Sequence, residues 1–431
     1  MSTDPALFVA TNDLAGQTRG RAVPHAGADA ALRRGVGWVP ANLALTAFGQ
    51  IAPNVFGSVG DLRLLPDAAS ALDLPASATH PGVRLVLADQ VLPDGSPWHC
   101  CPRTFARTAL ADFRAATGYE IVASFEHEFT LDGPPDTAPF SFGRYRGAEP
   151  FGDELVALLT DAGLEPETWL PEYGADQFEI TLRPVTALAA ADRAVLLREV
   201  VRDLARRHQR RVSFAPLLDP DGSGNGVHVH LSLRDATTGD PVLYDPARPG
   251  RLSTPGARFA AGVLAHARAL LGVTAPSPVS YLRLTPHRWS TGGVFLAERN
   301  REALLRICPT STLGGGDPAE QFNLEFRPTD ATANPWLTLG VLVRAGLRGI
   351  TEEYAPPVVW PEDTAEEDLA GVPSLPSGLE EALQELEKDR VVADWFHPDL
   401  LDTHLAVKRA ELAEVAELDP RERCARIADV H

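Results

Sequence analysis

Two segments of the sequence place chemically capable side chains two residues apart. FEHEF carries Glu126 and Glu128, and VHVHLSL carries His228, His230 and Ser232. Side chains alternate between the two faces of a β-strand, so each set is predicted to project from one face of a strand. His127 is then expected to face the other way as a structural residue, and Val227, Val229 and Leu231 are expected to pack behind the polar face of their strand.

Two further segments add carboxylates to this picture. NLEFR places Glu325 and Arg327 on one predicted strand face, and LPEYGADQFEI contributes Glu172 and Glu179. A single pair of this kind is usually a solvated strand face. Here polar faces back onto apolar ones repeatedly, and five glutamates gathered in one sheet cannot all stay charged without cations. Oxygen-rich sites with one imidazole suit Mg²⁺ or Mn²⁺ better than zinc.

Arginines accompany the carboxylates. Arg301 and Arg306 in ERNREALLRI, together with Arg327, could bind a transferring phosphoryl group. A dinuclear acidic site with such arginines is typical of phosphoryl transfer. The glycines of DGSGNGVH do not fit a dinucleotide fingerprint, because a strand rather than a helix follows them. The glycines at 314–316 are interpreted as a flexible loop.

The elements that must position these groups are predicted to be strands interleaved with long helices. Several strands follow one another directly, which favours an α+β fold with an antiparallel or mixed sheet. Asn334 and Pro335 form a good helix start, with Asn as N-cap and proline at the first helical position. The apolar spacing predicts helices over 103–117, 150–162, 187–210, 255–271 and 335–353, with two more near the C-terminus.

Composition limits the possible partners and compartment. The 58 acidic and 39 basic residues give a net charge of −19, which argues against nucleic acid or an anionic membrane as partner. The four cysteines show no CxxC spacing, so reduced thiols are expected. With neither a signal peptide nor an apolar run of membrane-spanning length in the sequence, a soluble cytoplasmic protein is expected.

The ordered set of motifs resembles the glutamine synthetase superfamily. The segments that carry the resemblance are FEHEF, PEYGADQFEI, GNGVHVHLSL, RNREALLRI and LEFRPTDATANPWL. The resemblance covers most of the chain, from RGRAVP through ANPWL and GLRGI. It implies a small β-grasp-like N-terminal domain over 1–101 and a catalytic domain over 102–431. The catalytic domain would contain a curved, mainly antiparallel sheet, and copies would assemble into a ring-type homo-oligomer, a dodecamer, with shared active sites.

The resemblance also implies which residues bind the metals and substrates. By motif position, a first metal site would contain Glu128, Glu172 and Glu179, and a second would contain Glu126, His228 and Glu325. The nucleotide would lie beside Glu167, His230 and Ser232, and the amino-acid substrate against Gly224 and Arg283. Arg301 and Arg327 would hold the γ-phosphate and the acyl phosphate. Two Mg²⁺ or Mn²⁺ ions and ATP are therefore the implied cofactor and co-substrate.

The implied activity is an ATP-dependent ligation of glutamate to an amine through γ-glutamyl phosphate. In SYLRLTPHRW, Trp289 stands where ammonia-using members carry a glutamate, and LALTAFGQIAPN lacks the aspartate that helps bind ammonium. A small cation needs anionic ligands, whereas an indole offers an apolar wall or a face for a larger cation. We therefore expect an organic amine as acceptor. The alternative is that Trp289 only packs on a loop, that another acid replaces the glutamate, and that the enzyme uses ammonia.

Other features bear on competing interpretations. Asn323 and Glu320 stand where ammonia-using members carry an arginine and a lysine, which weakens the expectation of ATP in the usual pose. No tyrosine occurs in PVVWPEDTAEEDLAGVPSLPSG, so regulation by adenylylation is not expected. A non-catalytic relative should lose metal ligands first, and none is lost here. Arg283 favours an amino-acid pocket over that of a guanidine kinase.

Overall fold

The computed structural model describes residues 6–77, 80–133 and 138–431. The strands are β1 Ala6–Asn12, β2 Thr18–Val23, β3 Val36–Trp38, β4 Leu62–Pro66, β5 Leu72–Leu74, β6 Val83–Val91, β7 Tyr119–Leu131, β8 Pro166–Pro171, β9 Gln177–Leu182, β10 Val185–Thr186, β11 Val212–Ser213, β12 Val227–Asp235, β13 Gly293–Glu298, β14 Ala303–Ile307, β15 Leu324–Phe326 and β16 Val359–Trp360.

The α-helices are α1 Ala28–Arg34, α2 Pro102–Thr117, α3 Phe142–Gly147, α4 Phe151–Asp161, α5 Ala187–Arg207, α6 Thr254–Ala265, α7 Ala267–Thr274, α8 Ser280–Arg283, α9 Pro318–Gln321, α10 Pro335–Thr351, α11 Leu379–Lys388, α12 Arg390–Ala393, α13 Pro398–Glu414 and α14 Pro420–Ala428. Short 3₁₀ turns cover His25–Gly27, Pro40–Ala44, Ala68–Ser70, Pro249–Arg251, Leu313–Gly315 and Glu366–Leu369. Among the described residues, every helix is too short or too polar to span a lipid bilayer.

The N-terminal part contains a six-stranded sheet with the order β2-β1-β6-β4-β3, with β5 paired to β6. Its central strands β1 and β6 run parallel, and the other pairs are antiparallel. Helix α1 packs against β4. This is the β-grasp-like arrangement that was predicted for the N-terminal region.

The larger part is built on a ten-stranded sheet with the order β16-β13-β14-β15-β12-β7-β9-β8, with β10 and β11 paired to β7. The long strand β7 is its hub, since β12 lies on one side and β9 on the other. Within the described strands, β13 runs parallel to β14 and β16, and the remaining pairs are antiparallel. The prediction of a mainly antiparallel catalytic sheet is confirmed.

A buried ion-pair network joins the two parts. Arg103 of α2 is 1% exposed and binds the carboxylates of Asp67 at 2.8 Å, Asp89 at 3.0 Å and Asp192 at 2.7 Å. Asp192 also accepts a hydrogen bond of 2.8 Å from the indole of Trp336, which is buried on α10. Three carboxylates compensate the desolvation of one guanidinium, and this network fixes α2, α5 and α10 relative to the first sheet.

Most of the predicted helices are observed, and the exceptions have a structural reason. The predicted helix over 255–271 is two helices, because the backbone leaves helical geometry at His266. His266 bonds Asp389 at 2.6 Å and packs edge-on to Trp395. The C-terminal region contains four helices, α11 to α14, where two were expected. Asn334 caps α10 by accepting from the Leu337 backbone N–H, as predicted.

Candidate active site

Strand register brings the predicted polar faces together on one surface of the larger sheet. Glu128 of β7 lies directly opposite Glu179 of β9, and Glu126 of β7 lies opposite His228 of β12. Strand β15 pairs with β12 and extends this surface with Glu325. Because residues opposite each other in a ladder share a face, the period-two spacing in each strand becomes a single acidic patch.

One half of the patch is neutralised by the protein itself. His228 Nδ1 lies 3.8 Å from a carboxylate oxygen of Glu126 and 3.5 Å from one of Glu325. Arg306 donates to Glu325 at 2.6 Å, and Arg327 donates to its other oxygen. Burial alone would raise the pKa of Glu325, but Arg327 and the nearby imidazoles outweigh it and lower that pKa to about 2.

The other half carries carboxylates whose neighbours are also carboxylates. Glu179 is 7% exposed, and its burial together with the charges of Glu126, Glu128 and Glu172 raises its pKa to about 11. Burial and the Glu128 charge likewise raise the pKa of Glu172. Like charges so close cannot all ionise unless cations lie among them.

The donor set of this patch fits two hard divalent cations. It offers five carboxylates and one imidazole, which is the oxygen-rich chemistry preferred by Mg²⁺ and Mn²⁺. Some carboxylate oxygens are oriented by their neighbours, as Glu128 shows by accepting from the Gly226 backbone N–H at 2.8 Å. Such supporting hydrogen bonds are typical of metal sites. The six ligands expected from the sequence are thus on one surface, with Glu172 following β8.

Arg283 and Gly224 are in contact, as expected of a shared substrate pocket. Arg283 ends α8, is 3% exposed and donates to the Thr329 carbonyl at 2.8 Å. Its buried Nε has no hydrogen-bond partner among the described residues. A Cβ at Gly224 would collide with the Arg283 side chain, and one at Gly226 would lie 3.1 Å from the guanidinium. Glycine is therefore required where this loop meets the arginine.

The loop with Trp289 closes one side of the patch. The Trp289 side chain is 70% exposed, and its backbone has a positive φ of 53°. Its N–H donates to Glu302 at 2.8 Å, and its carbonyl accepts from Arg327 at 2.8 Å. Arg288 donates to the Gly222 carbonyl at 3.0 Å, which ties the loop to the glycine segment. The backbone is thus fixed while the indole stays free of the core.

A cavity of about 720 Å³ adjoins the patch. Glu167, His230 and Ser232, the three residues expected beside a nucleotide, all line it. Arg234 and Glu320 also line it and form an ion pair of 2.7 Å. The negative charge of Glu320, which stands where ammonia-using members are expected to carry a lysine, is therefore compensated by Arg234. Sequence reasoning missed this arginine.

His230 connects the cavity to Glu126, one of the expected metal ligands. Its Nε2 lies 2.9 Å from Glu126, and its Nδ1 lies 2.9 Å from the Asn323 side-chain oxygen and 3.7 Å from the Cys308 sulfur. Burial disfavours its protonation, but Cys308 and Glu126 outweigh that effect and raise the pKa of His230 well above its usual value. Asn323 thus orients His230. Cys308 was not recognised from the sequence.

The three predicted phosphate-binding arginines lie in different environments. Arg327 is buried and donates to the Arg301 carbonyl at 2.9 Å, while the Arg301 residue itself is exposed. Arg306 is held on Glu325. Gln177, which was missed, bonds Glu128 at 3.2 Å and the Gly224 carbonyl at 2.8 Å. Its position two residues before Glu179 on one strand was a signal that could have identified it.

Two family models match this chain. The model described as glutamine synthetase, catalytic domain, matches residues 99–424, and the model described as glutamine synthetase N-terminal domain matches residues 5–98.

Individual relatives agree with these matches. The γ-glutamylpolyamine synthetase GlnA3 of Streptomyces coelicolor is 37% identical, over 96% of this chain and 91% of its own length. The glutamine synthetase of Methanocaldococcus jannaschii is 28% identical over 83% of this chain and 82% of its own. A crystal structure described as a novel glutamine synthase homolog superposes with a TM-score of 0.92 at 44% identity, covering 99% of this chain and 98% of the other.

Proposed function

Because this chain belongs to the glutamine synthetase family of ATP-dependent ligases, we propose that it joins the γ-carboxylate of glutamate to an organic amine. The observation that carries the choice of amine is the exposed indole of Trp289, whose backbone is bonded to Arg327 beside the metal ligands. A residue that merely packed on its loop would bury this ring, and 70% of it is exposed.

An indole face suits an amine that carries carbon. A cation over an exposed tryptophan face gains about 0.5–1 kcal/mol, and the alkyl part gains further from apolar contact. Ammonium has no alkyl part and needs anionic or carbonyl ligands instead. The polyamine ligase of Streptomyces coelicolor makes polyamines the first acceptors to examine.

We assign the metal ligands to two sets. Glu128, Glu172 and Glu179 would hold one ion, and Glu126, His228 and Glu325 would hold the other. When bound, such ions supply charge neutralisation for the phosphates and the carboxylate that reacts with them. The patch of like-charged carboxylates around Glu179 supports this assignment, because burial without cations is costly there.

The remaining residues bind and orient the substrates. We assign the glutamate α-carboxylate to buried Arg283, whose Nε has no hydrogen-bond partner among the described residues, and Gly224 lets its loop pack closely against that side chain. The nucleotide would occupy the cavity lined by Glu167, His230 and Ser232. Arg301 is exposed and its carbonyl accepts from Arg327, so we assign its guanidinium to a phosphate, while Arg327 and Arg306 hold positive charge against Glu325.

The reaction has two displacements. A γ-carboxylate oxygen of glutamate attacks the γ-phosphorus of ATP, and the bond to the bridging oxygen breaks to release ADP. The amine nitrogen then attacks the acyl carbon of γ-glutamyl phosphate, phosphate leaves with its oxygen, and the nitrogen loses a proton. We assign stabilisation of the charge that develops on the transferring group to Arg301 and Arg327.

The organisation of the whole molecule is part of the same proposal. We propose a division into domains 1–101 and 102–431, residence in the cytoplasm, and assembly into a ring-type homo-oligomer, a dodecamer. Exposed apolar side chains of Ile51, Val55 and Val59 support a contact between copies at the N-terminal part. Native mass spectrometry measures the copy number, and a monomer at micromolar concentration would contradict ring assembly.

One observation favours ammonia as the second candidate. Glu302 places a carboxylate inside the Trp289 loop, where it accepts from the backbone N–H groups of Trp289 at 2.8 Å and His287 at 3.2 Å. Were this carboxylate to turn toward the acyl phosphate, it would replace the missing glutamate. Both of its oxygens are already used by the loop, which is why we rank ammonia second.

A panel of acceptors distinguishes the two candidates. Phosphate release is measured with Mg²⁺, ATP and glutamate against ammonia, alkylamines, ethanolamine, polyamines and an aromatic amine, with product masses recorded. The proposal expects γ-glutamyl adducts of an organic amine and slow turnover with ammonia. Equal or faster turnover with ammonia would overturn it, and Glu302→Gln would then be expected to abolish that ammonia activity.

A further inference from the structure

A second cluster of metal-binding side chains lies outside the active site, where the N-terminal sheet meets the C-terminal helices. It combines His99 and Cys100, which precede α2, with His397 and Asp399 at the start of α13. One ligand atom from each residue lies within 4.8 Å of the other three. We propose that this cluster binds a transition-metal ion, and that Zn²⁺ is the ion its chemistry favours.

The four groups lie close to one another. His99 Nε2 lies 3.2 Å from an oxygen of Asp399, and His397 Nδ1 lies 3.6 Å from the same oxygen. The centroids of the two imidazole rings are 3.8 Å apart. Two imidazoles beside one carboxylate and a thiol can therefore reach one ion after small side-chain rotations.

The donor set distinguishes this cluster from the active site. Two nitrogens, one sulfur and one oxygen form a four-ligand set that suits tetrahedral Zn²⁺. A hard ion such as Mg²⁺ prefers oxygen ligands and binds thiolates poorly. The cluster should thus select a softer ion than the carboxylate patch does.

The four side chains differ in their exposure to solvent. Cys100 is fully buried, whereas the side chains of His99 and His397 are 47% and 41% exposed. An ion arriving from solvent would meet the imidazoles first and the sulfur last. Cys100 would bind as its thiolate and release its proton to solvent.

The site would fasten two distant parts of the chain. Helix α13 already contacts the N-terminal part, where Ala47 N–H donates to Glu411 at 2.8 Å and Gln50 donates to Glu414 at 3.2 Å. An ion shared by residues 99–100 and 397–399 would add a stronger link at the other end of the helix. The metal is therefore expected to be structural.

A helix cap is the competing explanation for the same cluster. His397 is the N-cap of α13, and its Nδ1 accepts from the Asp399 backbone N–H at 3.3 Å. A cap needs one imidazole and one orientation. It does not explain why Cys100 and His99, which belong to a different segment of the chain, also lie beside the Asp399 carboxylate.

Cobalt substitution tests the proposal directly. The full-length protein, with excess Mg²⁺ present to fill the carboxylate patch, is titrated with Co²⁺ and its absorption is recorded. We expect one equivalent to produce thiolate-to-cobalt charge transfer and the intense visible bands of a tetrahedral site. Cys100→Ser should abolish the charge transfer, and Cys100→Ser and His99→Gln should each weaken binding by at least ~100-fold.

A matched cysteine variant controls for the active site. Cys308 lies 3.7 Å from His230, so Cys308→Ser removes the sulfur that could ligate cobalt there. It should keep the full signal. Absence of the band in the wild type, or its loss in Cys308→Ser rather than Cys100→Ser, would overturn the proposal.

A stability measurement keeps the test decisive if Cys100→Ser folds poorly. Micromolar Zn²⁺ should raise the melting temperature of the wild type and of Cys308→Ser, and should not raise that of His99→Gln, whose changed side chain is half exposed. An equal rise in all three proteins would contradict a site at this cluster.

Discussion

Glu325 and Glu179 are both buried glutamates on one sheet surface, yet their surroundings are opposite. Glu325 binds two arginines, and its pKa is lowered to about 2. Glu179 is surrounded by carboxylates, and burial among them raises its pKa to about 11. The protein thus supplies cationic side chains to one half of the patch, and we infer that the other half is neutralised by metal ions from solution.

The largest predicted difference concerns stability without metal. Glu325→Ala leaves two buried arginines unpaired and should reduce the free energy of unfolding by about 3–5 kcal/mol. Without metal, burial and the neighbouring carboxylates keep Glu179 protonated, so Glu179→Gln replaces one neutral group by another and should be neutral or stabilising. Urea unfolding in EDTA measures the free energy of unfolding of both variants. An equal decrease in the two would contradict the difference that we infer between Glu325 and Glu179.

The second prediction concerns metal-dependent stabilisation. Saturating Mg²⁺ or Mn²⁺ should stabilise the wild type by about 2.7 kcal/mol at a hundredfold excess over Kd. Glu179→Gln should lose much of this gain. Glu320→Gln is the control, because its carboxylate is paired with Arg234 in the adjoining cavity. If Glu179→Gln kept the full gain, our assignment of that ligand would be wrong.

The third prediction compares two arginines that bind a carboxylate of the protein with the arginine that we assign to the glutamate substrate. Arg306 and Arg327 are bonded to Glu325, whereas Arg283 keeps a buried Nε without a partner among the described residues. Arg283→Lys should raise the KM for glutamate by roughly 10- to 100-fold, equivalent to about 1.5–3 kcal/mol. The KM for the amine should not change, and steady-state kinetics with each substrate varied decides this. A change in both constants would indicate a structural effect.

The smallest effect is expected at Trp289, on the exposed side of the patch. Trp289→Ala should raise the KM for an organic amine by roughly two- to fivefold, since an exposed cation–π contact contributes about 0.5–1 kcal/mol. Trp289→Phe should retain most of the affinity. Metal-dependent stabilisation should be unaltered in both. A Trp289→Ala enzyme with unchanged amine kinetics would exclude contact between the indole and the acceptor.

Much of the sheet could be predicted because period-two spacing reports which residues share a face. Glu126 and Glu128 were placed on one face, and the structure confirms that His127 lies on the other, 1% exposed and edge-on to Phe214. The family resemblance put Glu128 and Glu179 in one expected metal site, but spacing alone could not predict that they lie directly opposite each other, since strand register depends on contacts between distant segments.

Tertiary contacts explain the features that were missed. Apolar spacing gave one helix over 255–271, but the contacts of His266 with Asp389 and Trp395 interrupt it. The Arg234–Glu320 ion pair joins β12 to helix α9, far along the chain, and no local sequence pattern predicts such a contact. The cluster of His99, Cys100, His397 and Asp399 arises in the same way.

A competition experiment with labelled glutamate tests the central claim most directly. Glutamate carrying ¹⁸O in its γ-carboxylate is turned over with ATP and Mg²⁺ in an equal mixture of ammonia and a polyamine. Our account predicts γ-glutamylpolyamine as the main product and one ¹⁸O transferred to each phosphate released. Unlabelled phosphate would contradict the acyl-phosphate route, and glutamine as the main product would contradict the assignment of an organic amine as acceptor.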